Sequence, residues 1–195
     1  MRTTILAALA FAAATGLAAC DRSVPPTEAP AQTPAAPADA ATPAQSDGGL
    51  AIEGEGLRIF DAMGAARALP FETPQATVIA AVTASIGGMA PEETSNAECG
   101  QGATQFATYS NGLQLLFQDG KFNGWFLDQA GLTTVDGVGV GTTRAALAEA
   151  RTVEMVPDST LGAEFSAGDI GGFLTSTAAD ATVESLYAGG NCFFR

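Results

Sequence analysis

The clearest pattern of apolar and polar positions lies in QFATYSNGLQLLFQDGKFNGWFL, residues 105–127. Asn111-Gly112 and Asp119-Gly120 interrupt it. Each is flanked by β-favouring residues, the strongest short-range signal for a two-residue hairpin turn. The pattern predicts three strands in a meander, and two-residue turns fix its register. Across the first turn Phe106 faces Phe117, Thr108 faces Leu115 and Tyr109 faces Gln114. Across the second, Phe117 faces Phe122, Leu113 faces Phe126 and Gln114 faces Trp125. One face then gathers Phe106, Leu113, Leu115, Phe117, Phe122 and Phe126 as core. The other gathers Tyr109, Gln114, Leu116, Gln118, Lys121, Asn123 and Trp125. Aromatic rings on a rigid, partly polar sheet are the material of protein-binding surfaces. The competing reading packs Trp125 under a loop or helix edge.

Helical spacing appears on either side of this meander. Thr73-Pro74 combines a capping residue with proline in a first turn. Val78, Val82 and Ile86 then recur every four residues until Gly87-Gly88 stops the pattern. Leu57 to Phe60 reads as a short strand. The second half echoes the first: VDGVG at 135–139 answers FDAMG at 60–64, and Thr142-Thr143 opens a helix carrying Leu147. Strand-like runs follow at Ala163 to Ser166, Ile170 to Thr175 and Val183 to Tyr187, and the tail NCFFR finishes as an edge strand. The expected domain is α+β. It has two pseudo-repeats, near 56–130 and 131–195, each a helix plus a three-stranded antiparallel meander. Together they form one antiparallel sheet with both helices on its core face.

The first twenty residues follow a different logic. Arg2 precedes an unbroken apolar run from Ile5 to Ala14, and small residues lead to Cys20. That is the three-part pattern of a secretory signal, with an apolar core short for a membrane span. Leu17-Ala18-Ala19-Cys20 resembles the lipobox of bacterial lipoproteins at all four positions. The resemblance implies removal of residues 1–19, diacylglycerol on the Cys20 sulfur and acylation of the new amino terminus. Each buried acyl methylene contributes about 0.8 kcal/mol, so two or three chains anchor a protein that has no span of its own. An ordinary signal peptide with an incidental cysteine is the plainer alternative. Asp21 resembles the inner-membrane retention signal of enteric bacteria, and the choice of membrane stays open. Residues 20–49 are rich in Ala, Pro and Thr and hold no aromatic side chain. Such a segment buries too little to offset its ordering entropy and is expected to be a disordered tether. Residues 50–195 form the folded domain, lipid-anchored in the cell envelope and facing the periplasm.

Composition narrows the chemistry. Twenty-one acidic and eight basic residues give a net charge of −13, which argues against nucleic acid and anionic lipid surfaces as partners. With Cys20 acylated, Cys99 and Cys192 remain, and in an oxidising compartment an isolated pair reads as a disulfide. Two buried free thiols are the alternative. The absence of histidine removes Ser-His-Asp and Cys-His catalysis. Glu92, Glu93 and Glu98 read as a solvated acidic loop rather than a calcium site, because no ligand-spaced loop is present. Asp61 and Asp136 stand at equivalent points of the two halves and read as turn caps. DGVGVGTTRAAL offers a glycine cluster, but the third glycine of a dinucleotide fingerprint is Thr142 here, so a dehydrogenase is disfavoured. No catalytic residue, metal or cofactor is expected.

Glycine-rich turn, GTTRAAL-type helix start and antiparallel meander together resemble the tandem-repeat fold of β-lactamase inhibitory protein and of small outer-membrane assembly lipoproteins. Members of that fold bind other proteins, often through an open sheet face. The chain also resembles a group of short uncharacterised secreted bacterial proteins sharing ECG, FQDG, GVG and LGAEFSAGD stretches, some carrying a dehydrogenase name. The expectation is a non-catalytic module that binds another envelope protein, with Trp125 and Tyr109 central. The alternative is a small-molecule or lipid-binding protein with a pocket between sheet and helices lined by Phe117, Phe122 and Phe126.

Overall fold

The structure is a computed structural model that describes residues 49–193. The signal sequence, Cys20, residues 21–48 of the tether, Phe194 and Arg195 lie outside the described residues. Three strands open the fold: β1 (Leu50–Glu53), β2 (Gly56–Phe60) and β3 (Ala66–Pro70), paired antiparallel in chain order. Helix α1 (Gln75–Ser85) follows, then β4 (Glu92–Asn96), β5 (Thr104–Thr108), β6 (Leu113–Gln118) and β7 (Lys121–Leu127). Helix α2 (Arg144–Ala150) then leads into β8 (Glu154–Met155), β9 (Ala163–Ala167), β10 (Ile170–Leu174) and β11 (Val183–Gly189). The last eight strands form one antiparallel sheet in the order β4-β5-β6-β7-β11-β10-β9-β8. Two four-stranded meanders thus meet edge to edge through β7 and β11. This corrects the expectation of one sheet with three strands per half. The additional strands carry no regular alternation: β1 is LAIE, a short buried run, β3 is ARALP and β4 is EETSN, both largely exposed, and β8 has two residues.

Each helix is stitched to the start of the last strand of its own meander. Gln75 N–H donates to Gly120 O, Phe122 N–H to Thr73 O, and Glu72 N–H to Phe122 O. In the second half Arg144 N–H donates to Ala181 O, Val183 N–H to Thr142 O, and Gly141 N–H to Val183 O. Thr143 caps α2 by accepting from Ala146 N–H. The expected cap of α1 is absent: Pro74 holds the position, and the Thr73 hydroxyl donates to Pro70 O instead. Gly87 and Gly88, at φ 89° and 85°, end α1 as expected. Val78, Val82 and Leu147 from the helices, with Ile52, Leu57 and Leu69 from the small sheet, join one core with the inner face of the large sheet.

The first hairpin departs from its expected register. Tyr109 N–H bonds Leu113 O at 2.8 Å, and Gly112 N–H bonds Tyr109 O at 3.1 Å. Ser110, Asn111 and Gly112 therefore form a three-residue loop with Gly112 left-handed at φ 80°, a turn followed by a glycine bulge. Thr108 now faces Gln114, Ala107 faces Leu115 and Phe106 faces Leu116. A slip of one residue exchanges the faces of a strand. The second turn does match: Asp119 and Gly120, at φ 49° and 72°, leave Phe117 opposite Phe122. A bulge beyond that pair then sets Leu116 against Gly124, Leu115 against Trp125, Gln114 against Phe126 and Leu113 against Leu127. Trp125 moves into the core, and Phe106 and Phe126 move out.

Cys99 and Cys192 are disulfide-bonded across a sequence separation of 93, with Cα atoms 5.0 Å apart. Asn191 to Phe193 are not an edge strand; they cross the outer face of the large sheet.

Candidate functional site

The two faces of the large sheet have different company. The inner one carries Ala107, Leu115, Trp125, Ala188, Leu113, Leu127, Leu186 and Phe165, all buried in the core with the helices and small sheet. The outer one begins with Thr94, Phe106 and Leu116, adjacent across β4, β5 and β6. Beside them run Thr108, Gln114, Phe126, Tyr187 and Gly171, adjacent across β5, β6, β7, β11 and β10. Phe106, Phe126 and Tyr187 are half-buried, as is Phe173 on β10.

A groove of about 360 Å³ crosses this outer face. Phe106, Leu116 and Phe126 line its apolar part; Thr94, Asn96 and Gln114 supply polar groups, and Asn191 to Phe193 form a further wall. Amides hold the surroundings in place. Gln114 Nε2 donates to Thr108 Oγ1 at 3.0 Å, and Asn123 Nδ2 to Gln118 Oε1 at 2.9 Å. Gln118 Nε2 donates to Gln101 O at 3.1 Å.

Of the residues assigned to one face from the sequence, Gln114, Leu116, Gln118 and Asn123 come together here. Tyr109 and Trp125 do not. Tyr109 is 2 % exposed; its hydroxyl lies 3.3 Å from Thr83 Oγ1 and donates to Ile79 O at 3.4 Å. Burial pushes that phenol's pKa up, against a weaker opposing effect of its contact with the Thr83 hydroxyl. Trp125 is fully buried, its indole N–H donating to Glu53 O at 2.8 Å. Lys121 sits exposed at the second turn, paired with Glu72 at 3.0 Å. The pocket expected from Phe117, Phe122 and Phe126 does not form. Phe117 and Phe122 are fully buried with ring centroids 5.9 Å apart, while Phe126 lies on the opposite face.

Sequence reasoning missed Phe106, Phe126, Phe173 and Tyr187 as outer-face residues. Two signals were available. Tyr109-Ser110-Asn111-Gly112 suits a type I turn closed by glycine as well as a two-residue turn. Gly124, isolated inside a strand, marks a bulge.

The acidic groups have local roles. Asp61 Oδ1 accepts from Met63 and Ala65 N–H, both at 2.9 Å, a turn cap. Asp136 accepts two hydrogen bonds of 2.8 Å from Arg151, whose guanidinium holds the carboxyl below its usual range against a weaker opposing effect of burial. Glu164, 1 % exposed, accepts from Ser159 Oγ at 2.6 Å and Tyr187 Oη at 2.7 Å. Among the described residues, no group of three or more His, Cys, Asp or Glu is placed to hold a metal ion. No family model matches the chain, and no curated protein or solved structure matches it either.

Proposed function

We propose that this chain is a lipid-anchored envelope protein whose folded domain binds another envelope protein, without catalysis, through the outer face of its large sheet. The observation that carries this reading is a rigid, hydrogen-bonded sheet with half-buried aromatic rings set among polar groups. A rigid aromatic centre with a polar surround suits hot-spot recognition, because little ordering entropy is lost on binding. Cys20 and the tether supply the address, and the disulfide agrees with an oxidising compartment. The two halves are read as divergent copies, because the same three hydrogen bonds join each helix start to its own meander. That arrangement resembles the tandem-repeat fold of β-lactamase inhibitory protein in its sequence of elements only, and it transfers no binding residue.

The test is affinity capture from crosslinked cells of the native host. Gln114→Arg and Phe126→Arg should lose the captured partner while far-UV circular dichroism stays unchanged. Glu149→Arg, on α2, should retain it. Equal capture by all three would overturn the reading. A second reading, a small-molecule site, is favoured by the groove volume, which falls within the roughly 300–1,000 Å³ usual for ligand pockets. Native mass spectrometry showing a retained ligand that Phe126→Arg abolishes would select it.

A further inference from the structure

Strand β11 ends at Gly189, and the chain then doubles back over the sheet. Gly189 is left-handed at φ 72°, and Gly190 N–H donates to Asn123 O at 2.8 Å. Glycine at position 124 makes this crossing feasible, since a Cβ there would stand 2.0 Å from the Gly190 carbonyl oxygen. Cys192 follows, bonded to Cys99, with Asn96 Nδ2 at 3.9 Å from its sulfur. Phe193 then places its ring edge-on to Tyr187, Phe173 and Phe126, at centroid separations of 5.1, 5.6 and 6.2 Å. Gly171 completes the slot: a Cβ there would meet the Tyr187 ring at 2.3 Å, so only glycine lets that ring lie over β10. Gly124 thus lets the backbone cross, and three half-buried rings, one of them seated over Gly171, receive one aromatic side chain.

We propose that Asn191 to Phe193 form a disulfide-tethered strap occupying this aromatic slot, and that the slot's external ligand is an extended peptide segment bearing an aromatic side chain. The proposal rests on the outer face being the binding surface. The strap's own chemistry names the ligand class, because edge-on rings select an aromatic group over an aliphatic one. The Cys99–Cys192 bond sets access. A short tether presents Phe193 at an effective concentration on the order of mM, which a free segment must exceed. A dithiol reductant opens the strap: one thiolate attacks the disulfide, a mixed disulfide forms, and the second thiol resolves it. The reductant leaves as a disulfide, and Cys99 and Cys192 each take a proton as thiols. Once the strap departs, slot and groove become one surface, because Phe126 borders both.

The test uses the full chain and a dye-labelled peptide of sequence Asn-Ser-Phe-Phe-Arg, the tail with serine for Cys192. Oxidised wild type should show no saturable binding. The Cys99→Ser, Cys192→Ser, Phe193→Ala chain should bind it saturably, and a peptide with alanine for its first phenylalanine should not bind. Hydrogen exchange of 189–193 should quicken in the double-serine chain while β6 and β7 stay protected. No binding by the folded triple variant, equal binding to oxidised wild type, or unchanged protection of the strap would each overturn the proposal. Should the triple variant unfold, Phe193→Ala with the disulfide intact replaces it. N-acetylphenylalanine amide should then shift the Tyr187 and Phe173 ring resonances, and no shift overturns the proposal. Peptide binding without partner capture would defeat the envelope-partner reading alone; capture without peptide binding would defeat the aromatic slot alone.

Discussion

Trp125 donates its indole N–H to Glu53 O from a fully buried position, so its removal costs packing and one buried hydrogen bond. Trp125→Ala should destabilise the domain by about 3–5 kcal/mol. Trp125→Phe should cost about 1–2 kcal/mol, for the hydrogen bond lost to Glu53 O and the smaller ring. Phe126→Ala, at a half-buried position, should cost less than Trp125→Ala in the same urea titrations. As the only tryptophan, Trp125 should also report unfolding by a red shift of its emission. Asp136 carries a pH dependence. Hydrogen bonding to Arg151 depresses its folded-state pKa, so its stabilisation is present above the unfolded value, about 3.9. That stabilisation fades as pH falls through the lower folded value. Asp136→Asn should therefore lower the melting temperature at neutral pH, with the gap from wild type closing in acid.

At the scale of elements, the turns decided which side chains face which way. Gly112 and Gly120 both adopt positive φ, but a Cβ at 112 would stand 2.5 Å from Asp128 Oδ1, whereas nothing lies within 4 Å at 120. Gly120→Ala should cost about 1 kcal/mol of backbone strain, and Gly112→Ala measurably more, read from thermal melts. These turns also mark what the sequence made legible. The meander, both helices, β2, β9, β10 and β11 were readable because alternation, four-residue spacing and turn residues agreed. Strands β1, β3, β4 and β8 were not: β4 is largely exposed, β8 has two residues, β3 buries only Leu69, and β1 is a short buried run without alternation. The outer face was half readable: Gln114, Leu116, Gln118 and Asn123 were assigned together. The loop at Ser110 to Gly112 and the bulge near Gly124 moved Tyr109, Trp125, Phe106 and Phe126 to opposite sides. A period of two carries no memory of an inserted residue.

At the scale of the molecule, the disulfide links the loop before β5 to the strap after β11, enclosing most of the large sheet within its loop. Loop-closure entropy for so long a loop would suggest about 4–5 kcal/mol. Cys192 lies beyond the last strand, however, so breaking the bond also frees the strap in the folded state. Cys99→Ser with Cys192→Ser should accordingly cost about 2–4 kcal/mol in urea denaturation and leave the far-UV spectrum intact. We propose that the sheet side away from the helices meets the partner. A photoreactive amino acid placed at residue 114 or 106, in cells of the native host, tests that proposal most directly. It predicts a discrete crosslinked species from both positions and none from residue 149 on α2. Crosslinks from 149 with silence at 106 and 114 would contradict it.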